Sequence, residues 1–243
     1  MAIRFGTDGW RGVIADDFTF ANLSICAQGT ANYLKETGQS SRGVVIGYDT
    51  RFGSESFANT AARIFVANGI PTLLCDRVAS TPAISYNLVS HDAAAGCVIT
   101  ASHNPPEWNG FKYKPAYGGT ASSELTVELE QHIEQAEKTG FRKTLSLSSA
   151  EKIGLVSLFD PEPLYLENLG TLVDIEGIRK AGLHVAVDSM HGAGAGYFSK
   201  ILDGGKTKVT ELRAENNPLF PGMKQPEPLS PNLSDLILSL IHI

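Results

Sequence analysis

The chain has 243 residues, 42% of them hydrophobic, and its 26 acidic and 20 basic residues leave a net charge of -6. That length allows one large domain or two medium ones, each able to bury a core. The charges follow no basic stripe, which excludes a nucleic-acid surface, and no apolar run approaches the length of a membrane span.

The three cysteines, Cys26, Cys75 and Cys97, are far apart and match neither a disulfide framework nor zinc spacing. They are expected as reduced core thiols of a cytoplasmic protein. The opening residues, Met1 to Gly9, carry no apolar signal region.

Along the chain, helical and strand patterns alternate. Phe20 to Glu36 has apolar residues at helical spacing, with Gly38 as a stop signal. Val44–Tyr48 is a β-branched run ending in Asp49-Thr50-Arg51, and a helix is expected from Ser54 to about Gly69. Thr72–Leu74 is the next strand, Thr81-Pro82 opens a helix with proline in its first turn, and Ala93–Ile99 is a buried strand. Phe111–Lys114 is short and extended, and Glu124–Lys138 is an acid-rich amphipathic helix. Such alternation predicts an α/β fold, a three-layer α/β/α domain with a mixed sheet. Ligands of such sheets sit beyond the carboxyl ends of the strands, at the loops that begin near Asp49, Arg77 and Thr100.

Residues 139–163 are rich in Ser, Thr, Lys and Glu and close with Pro161-Glu162-Pro163. The boundary is expected there, between a first domain over 1–145 and a second over 155–243. The pattern restarts with a helix over Leu164–Leu172, a strand over His184–Val187, a Gly-rich turn, a helix over Tyr197–Leu202 and a strand over Lys208–Leu212. A Pro-rich loop (Pro218–Pro231) and a helical start at Asn232 follow. The second unit is expected to be a similar but incomplete α/β domain.

The richest stretch for chemistry is Thr100-Ala101-Ser102-His103-Asn104-Pro105, followed by Asn109-Gly110-Phe111-Lys112. It leaves a strand end, so Ser102 is expected at the active edge of the sheet. A serine hydroxyl is a weak nucleophile that needs a base or an electropositive setting, and His103 and Lys112 can supply both. Ser, Asn and Pro are also ordinary turn formers, so the first six residues read alone would fit a plain loop. The whole string of ten specified positions resembles the signature of the α-D-phosphohexomutases. A second segment, Phe5-Gly6-Thr7-Asp8-Gly9-Trp10-Arg11-Gly12, resembles the opening of the same family. Its glycines allow close backbone approach, and Arg11 has the planar fork suited to phosphate. Gly47–Arg51 and Ser80-Thr81-Pro82 are weaker matches; Asp49 and Arg51 fit a surface ion pair as well as a site contact.

The resemblance implies an intramolecular phosphotransferase that interconverts hexose 1-phosphate and 6-phosphate through a hexose bisphosphate. It implies Ser102 as the phosphoserine, whose phosphate also binds Mg²⁺. It further implies Lys112 for proton transfer, Arg11 on the phosphoryl group in transit, and His103 to orient the site or serve as acid or base. The family's Asp-Gly-Asp-x-Asp-Arg metal loop is not found in this chain, where Asp203-Gly204-Gly205 is the nearest string. The remaining aspartate ligands of Mg²⁺ are therefore missing from the chain. Glucose, mannose and glucosamine branches are not separable from these residues, although Trp10 leans away from the glucosamine branch, which usually has isoleucine there.

The last six residues, Leu238–Ile243, depart from the family pattern. They are what CTG TCT CTT ATA CAC ATC encodes, a string resembling a transposase-end adapter used in sequencing libraries. The natural protein is expected to continue past Ile237, and the 243-residue chain to show exposed apolar surface and no mutase turnover. Two other readings compete. Asp188–Gly196, followed by a helix and a strand carrying Glu211, imitates a dinucleotide-binding fingerprint of an oxidoreductase, although Ser199 stands where its third glycine belongs. A non-catalytic sugar-phosphate-binding module is the other.

Overall fold

The computed structural model describes residues 3–6, 9–140 and 142–242; Thr7 and Asp8 of the opening motif lie outside the described residues. Strand β1 (Trp10–Val13) alternates, with Trp10 buried against Phe18 and Arg11 exposed. Helix α1 (Phe20–Glu36) opens where the Thr19 hydroxyl accepts from the Asn22 amide, and it buries Leu23, Cys26, Ala27, Ala31 and Leu34 at helical spacing.

The βαβ units follow: β2 (Val44–Tyr48), α2 (Ser54–Ala67), β3 (Thr72–Cys75), α3 (Thr81–Ser90) and β4 (Ala95–Ile99). Both β2 and β4 are buried at every position, the reason they read as continuous apolar runs. Helix α3 starts with Ser80 Oγ accepting from the Ala83 amide and Pro82 in the first turn. Strand β5 (Trp108–Pro115) extends beyond the short stretch expected because it pairs antiparallel on both sides, with β4 and with β1. Helix α4 (Ser123–Thr139) lies against α1 and ends on Gly140.

The stretch read as a boundary holds two further elements, α5 (Leu147–Lys152) and β6 (Val156–Phe159). Strand β6 adds parallel to β3, pairing Leu73 with Ser157, so the first sheet runs past residue 155, where the second unit was expected to begin. Its alternation is hidden because it is an edge strand with Leu158 exposed. The finished sheet has the order β1-β5-β4-β2-β3-β6 and is mixed. From β2 the chain moves to one neighbour, β3, and returns to the other, β4. Right-handed crossovers then place α2 and α3 on opposite faces and give the three layers.

The second unit contains α6 (Glu162–Leu172), α7 (Ile175–Lys180), β7 (His184–Asp188), α8 (Tyr197–Leu202), β8 (Lys208–Leu212) and α9 (Ser234–His242). Strands β7 and β8 pair in parallel. Helix α7 is short and lies between stronger patterns, so periodicity alone does not reveal it. Its Asp174 cap accepts from the Gly177 amide. Helix α9 continues through the last residues described and leaves Ile237, Leu238 and Leu240 more than half exposed.

Candidate functional site

A cleft of about 370 Å³ lies between the two units, at the carboxyl ends of the parallel strands. Ser102, His103, Asp49 and Ser80 line it from the first unit; Asp188, Ser189, Met190, Gly192 to Gly194 and Phe220 line it from the second. Strands β2, β3 and β4 are parallel and in register, so the loops that follow them share one edge.

Arg51 builds the serine loop. Its Nη2 donates to the carbonyl oxygens of Ser102 (2.7 Å) and Asn104 (2.6 Å), and its Nη1 to those of Pro105 (2.8 Å) and Trp108 (3.0 Å). The planar fork thus gathers four backbone acceptors of one loop onto a single side chain. Burial pushes the Arg51 guanidinium pKa down, while Asp49, 3.4 Å from Nε, opposes the shift. Asp49 is itself pushed up by burial, against a hydrogen bond from Thr100 and the charge of Arg51. Its Oδ1 accepts from the Arg51 amide (3.0 Å) and Ser54 Oγ (2.8 Å). Asn109, fully buried, donates to Ser54 Oγ (2.9 Å) and so ties the two loops together.

Ser102 stands at φ 57°, in the left-handed region that non-glycine residues rarely enter. Its amide donates to Thr100 Oγ1 (3.0 Å), and its carbonyl is held by Arg51. Two restraints from outside the residue thus fix a strained backbone, a pattern found at functional sites. Gly110, within β5, lets the strands beside the loop approach closely, since a Cβ there would lie 2.5 Å from the Thr100 oxygen and 2.8 Å from the Trp10 oxygen.

The four residues singled out from the sequence are placed differently from one another. Ser102 and His103 line the cleft, and His103 is exposed. Arg11 sits opposite Gly110 in the β1–β5 register and donates to Asn104 Oδ1 (2.9 Å), at the back of the serine loop. Lys112 lies opposite Val98 on β5, is buried, and is not part of the cleft lining. Residue order alone does not decide between the two roles open to Arg51. A cation three residues past a buried strand end, two after an Asp, is the signal available for it.

The second unit repeats the device. Asp188 Oδ1 accepts from the Met190 amide (3.0 Å) and from Arg213 Nε (2.9 Å), and Oδ2 accepts from Arg213 Nη2. Arg213 also donates to the Asn232 carbonyl (2.6 Å), and the Asn232 side chain donates to the carbonyls of Gln225 (2.9 Å) and Glu227 (2.7 Å). This chain of bonds holds the Pro-rich loop against the cleft. His191, almost fully buried, contacts the Glu215 carbonyl through Nδ1 (3.0 Å).

The dinucleotide reading fails on Glu211. Its carboxylate accepts from the Gly196 amide (2.9 Å), the Ser199 amide (3.1 Å) and Ser199 Oγ (2.8 Å). The protein's own carboxylate therefore occupies the helix start that a pyrophosphate would need. Among the described residues no metal centre is assembled either. Asp49 and Asp188, the cleft carboxylates, are engaged by Arg51 and Arg213, and no group of three His, Cys, Asp or Glu able to hold an ion occurs among the described residues.

Comparison with known proteins agrees with this architecture. Residues 2–140 match the family model described as phosphoglucomutase/phosphomannomutase, alpha/beta/alpha domain I, and residues 163–242 match the model of domain II. The chain is 32% identical to a phosphoglucomutase of Komagataeibacter xylinus, over 90% of this chain and 41% of that protein. It is 30% identical to a phosphoglucosamine mutase of Exiguobacterium sibiricum, over 90% of this chain and 47% of that protein. A crystal structure from Thermus thermophilus, described as a phosphomannomutase, superposes with a TM-score of 0.87 at 34% identity, covering 99% of this chain and 52% of the other. The chain spans about half the length of the relatives it matches. The serine loop, the mixed sheet that presents it and these matches together show that the chain belongs to the phosphoglucomutase/phosphomannomutase family.

Proposed function

We propose that this chain carries the phosphoserine part of a hexose-phosphate mutase, with Ser102 as the phosphoryl carrier. The observation that supports the reading most is the strained Ser102 backbone, clamped by Arg51 and Thr100 at the mouth of the cleft. In the proposed reaction the Ser102 Oγ–P bond breaks as a hydroxyl of a hexose monophosphate takes the phosphoryl group, and the hydroxyl's proton passes to Ser102 Oγ; the resemblance assigns that relay to Lys112, which lies on β5 behind the cleft lining. The bisphosphate reorients and returns its other phosphoryl group to Ser102 Oγ, whose proton passes to the freed sugar oxygen, so that the isomeric monophosphate departs. Phosphoryl transfer of this kind is mostly a matter of positioning and charge stabilisation. Arg11 would serve the second need from its place beside Asn104 on the serine loop, and His103 would orient the group. Mg²⁺ is proposed to be held through the Ser102 phosphate, but the residues of this chain do not complete its shell, so no step is assigned to it.

Which hexose is used is not specified by this part of the protein. Trp10, which leans away from glucosamine by resemblance, is packed in the core against Phe18 (ring centroids 4.9 Å apart) and reads no sugar directly. A cytoplasmic setting is part of the proposal and rests on three separate, buried, unpaired cysteines. The test is incubation with a hexose 1,6-bisphosphate followed by peptide mass spectrometry. One phosphoryl group on Ser102, absent from Ser102→Ala, is expected; a phosphate elsewhere, with Ser102→Ala still labelled, would remove Ser102 from the role.

A further inference from the structure

Phe220 belongs to the loop between β8 and α9, yet its ring lies 5.3 Å from the guanidinium carbon of Arg51 in the first unit. The ring is buried, 2% exposed, and the residue stands at φ 44°. An aromatic residue enters that region only when its surroundings over-determine it. Here they do: the Phe220 amide donates to the Asn217 carbonyl (3.1 Å), Met190 and Met223 pack beside the ring, and Arg213 and Asn232 pin the far end of the loop.

The guanidinium of Arg51 has two kinds of surface. Its Nη1 and Nη2 hydrogens are directed in plane at the carbonyls of Ser102, Asn104, Pro105 and Trp108. Its face remains, and an aromatic face can cover it without competing for those hydrogens. One side chain is therefore shared between the serine loop and the second unit.

We infer that Phe220 is a positioning residue for Ser102, acting through Arg51. With the ring in place, the plane of the guanidinium is fixed and water is kept from it, and the carbonyl frame of residues 102–108 is held. When the second unit's loop withdraws, Arg51 is uncovered and the left-handed backbone of Ser102 loses part of its restraint. The phosphoryl carrier is thereby coupled to closure of the cleft. The functional half of this inference rests on Ser102 being that carrier; the mechanical half does not.

The test uses the 243-residue chain, Phe220→Met (apolar bulk without a ring), Phe220→Tyr and Arg51→Lys. In the unmutated chain the Arg51 Nε–H proton resonance should be shifted upfield by the ring current, and an unshifted resonance overturns the inference before any variant is made. Phe220→Met should abolish that shift and speed amide hydrogen exchange across 100–110 by about tenfold, a local rather than global opening. Exchange in α1 should not change, and Phe220→Tyr should restore both signals. Unchanged loop exchange in Phe220→Met, with Arg51→Lys showing faster exchange, overturns the role of Phe220. Should Phe220→Met also expose β7 and β8, the Tyr variant and the unmutated resonance still decide. Loss of the ring-dependent restraint with no phosphate ever found on Ser102 supports the coupling and sinks only the carrier assignment.

Discussion

Arg51 donates to the Ser102 carbonyl over 2.7 Å from inside the protein, with its own side chain 1% exposed. A lysine has a single nitrogen and cannot span the four carbonyls that the fork serves. The in-plane geometry that reaches four carbonyls would be lost, and each part-buried acceptor left unpaired costs about 1–3 kcal/mol. Arg51→Lys is expected to lower stability by about 3 kcal/mol, seen as a lower urea midpoint with an unchanged slope.

Ser102→Gly separates stability from function. Glycine accepts φ 57° without the steric cost that serine bears, a strain of order 1 kcal/mol. The variant is expected to be more stable by about that amount in a thermal melt, while losing phosphoryl uptake completely. Ser102→Ala should lose uptake with no gain in stability, because its Cβ remains.

Gly110→Ala tests the close approach behind the serine loop. The added methyl would meet two backbone oxygens, at 2.5 and 2.8 Å, and neither is the end of a flexible side chain. The β1–β5 and β4–β5 ladders would have to shift, at a cost of about 3 kcal/mol. Chemical denaturation is the measurement; a loss under about 1 kcal/mol (the range of tolerated core swaps) would show that the loop has room.

The alkaline limb of stability should carry the signature of buried tyrosines. Burial pushes the Tyr48 phenol up to about 12, with Glu55 adding to the effect, and the Tyr197 phenol up to about 12, with Glu162 adding. Unfolded tyrosine titrates near ~10. Since the folded values are raised, the contribution is fully present below about pH 10 and is lost as pH climbs through about 12. Each group can remove up to ~1.4 kcal/mol per pH unit in that window. Tyr197→Phe should flatten the fall, and at neutral pH it should cost little, because the buried hydroxyl makes no well-formed hydrogen bond, only a weak one toward Ser80.

In a protein that turns over hexose phosphate, Lys112→Ala should lower kcat by about 10²–10⁴-fold if Lys112 moves the proton. Arg11→Ala should weaken transfer, and Arg11→Lys should rescue it only in part, for want of the planar fork. Steady-state kinetics with the 1-phosphate and the 6-phosphate in turn would check both, and an unchanged kcat in Lys112→Ala would take that residue out of the proton path.

Much of the fold is legible in residue order because the signals are local. The apolar runs Val44–Tyr48 and Ala95–Ile99 fill both faces of a central strand, and the caps at Thr19 and Ser80 act within three residues of themselves. The serine loop is legible for the same reason, since its signature is contiguous and its turn residues fix the backbone locally. Strand β6 is not, because an edge strand exposed at both Ser157 and Leu158 owes its pairing to β3, far earlier in the chain. Arg51, Asn109, Glu211 and Phe220 could not be assigned from the sequence either. A buried fork gains its meaning only from the carbonyls that distant segments bring to it, and a carboxylate caps a helix only once β8 has been laid beside β7. Sequence alone determined which residues could do chemistry here. Tertiary structure decided which of them hold the others in place, because hydrogen-bond satisfaction in a buried site is settled by three-dimensional neighbours and not by chain neighbours.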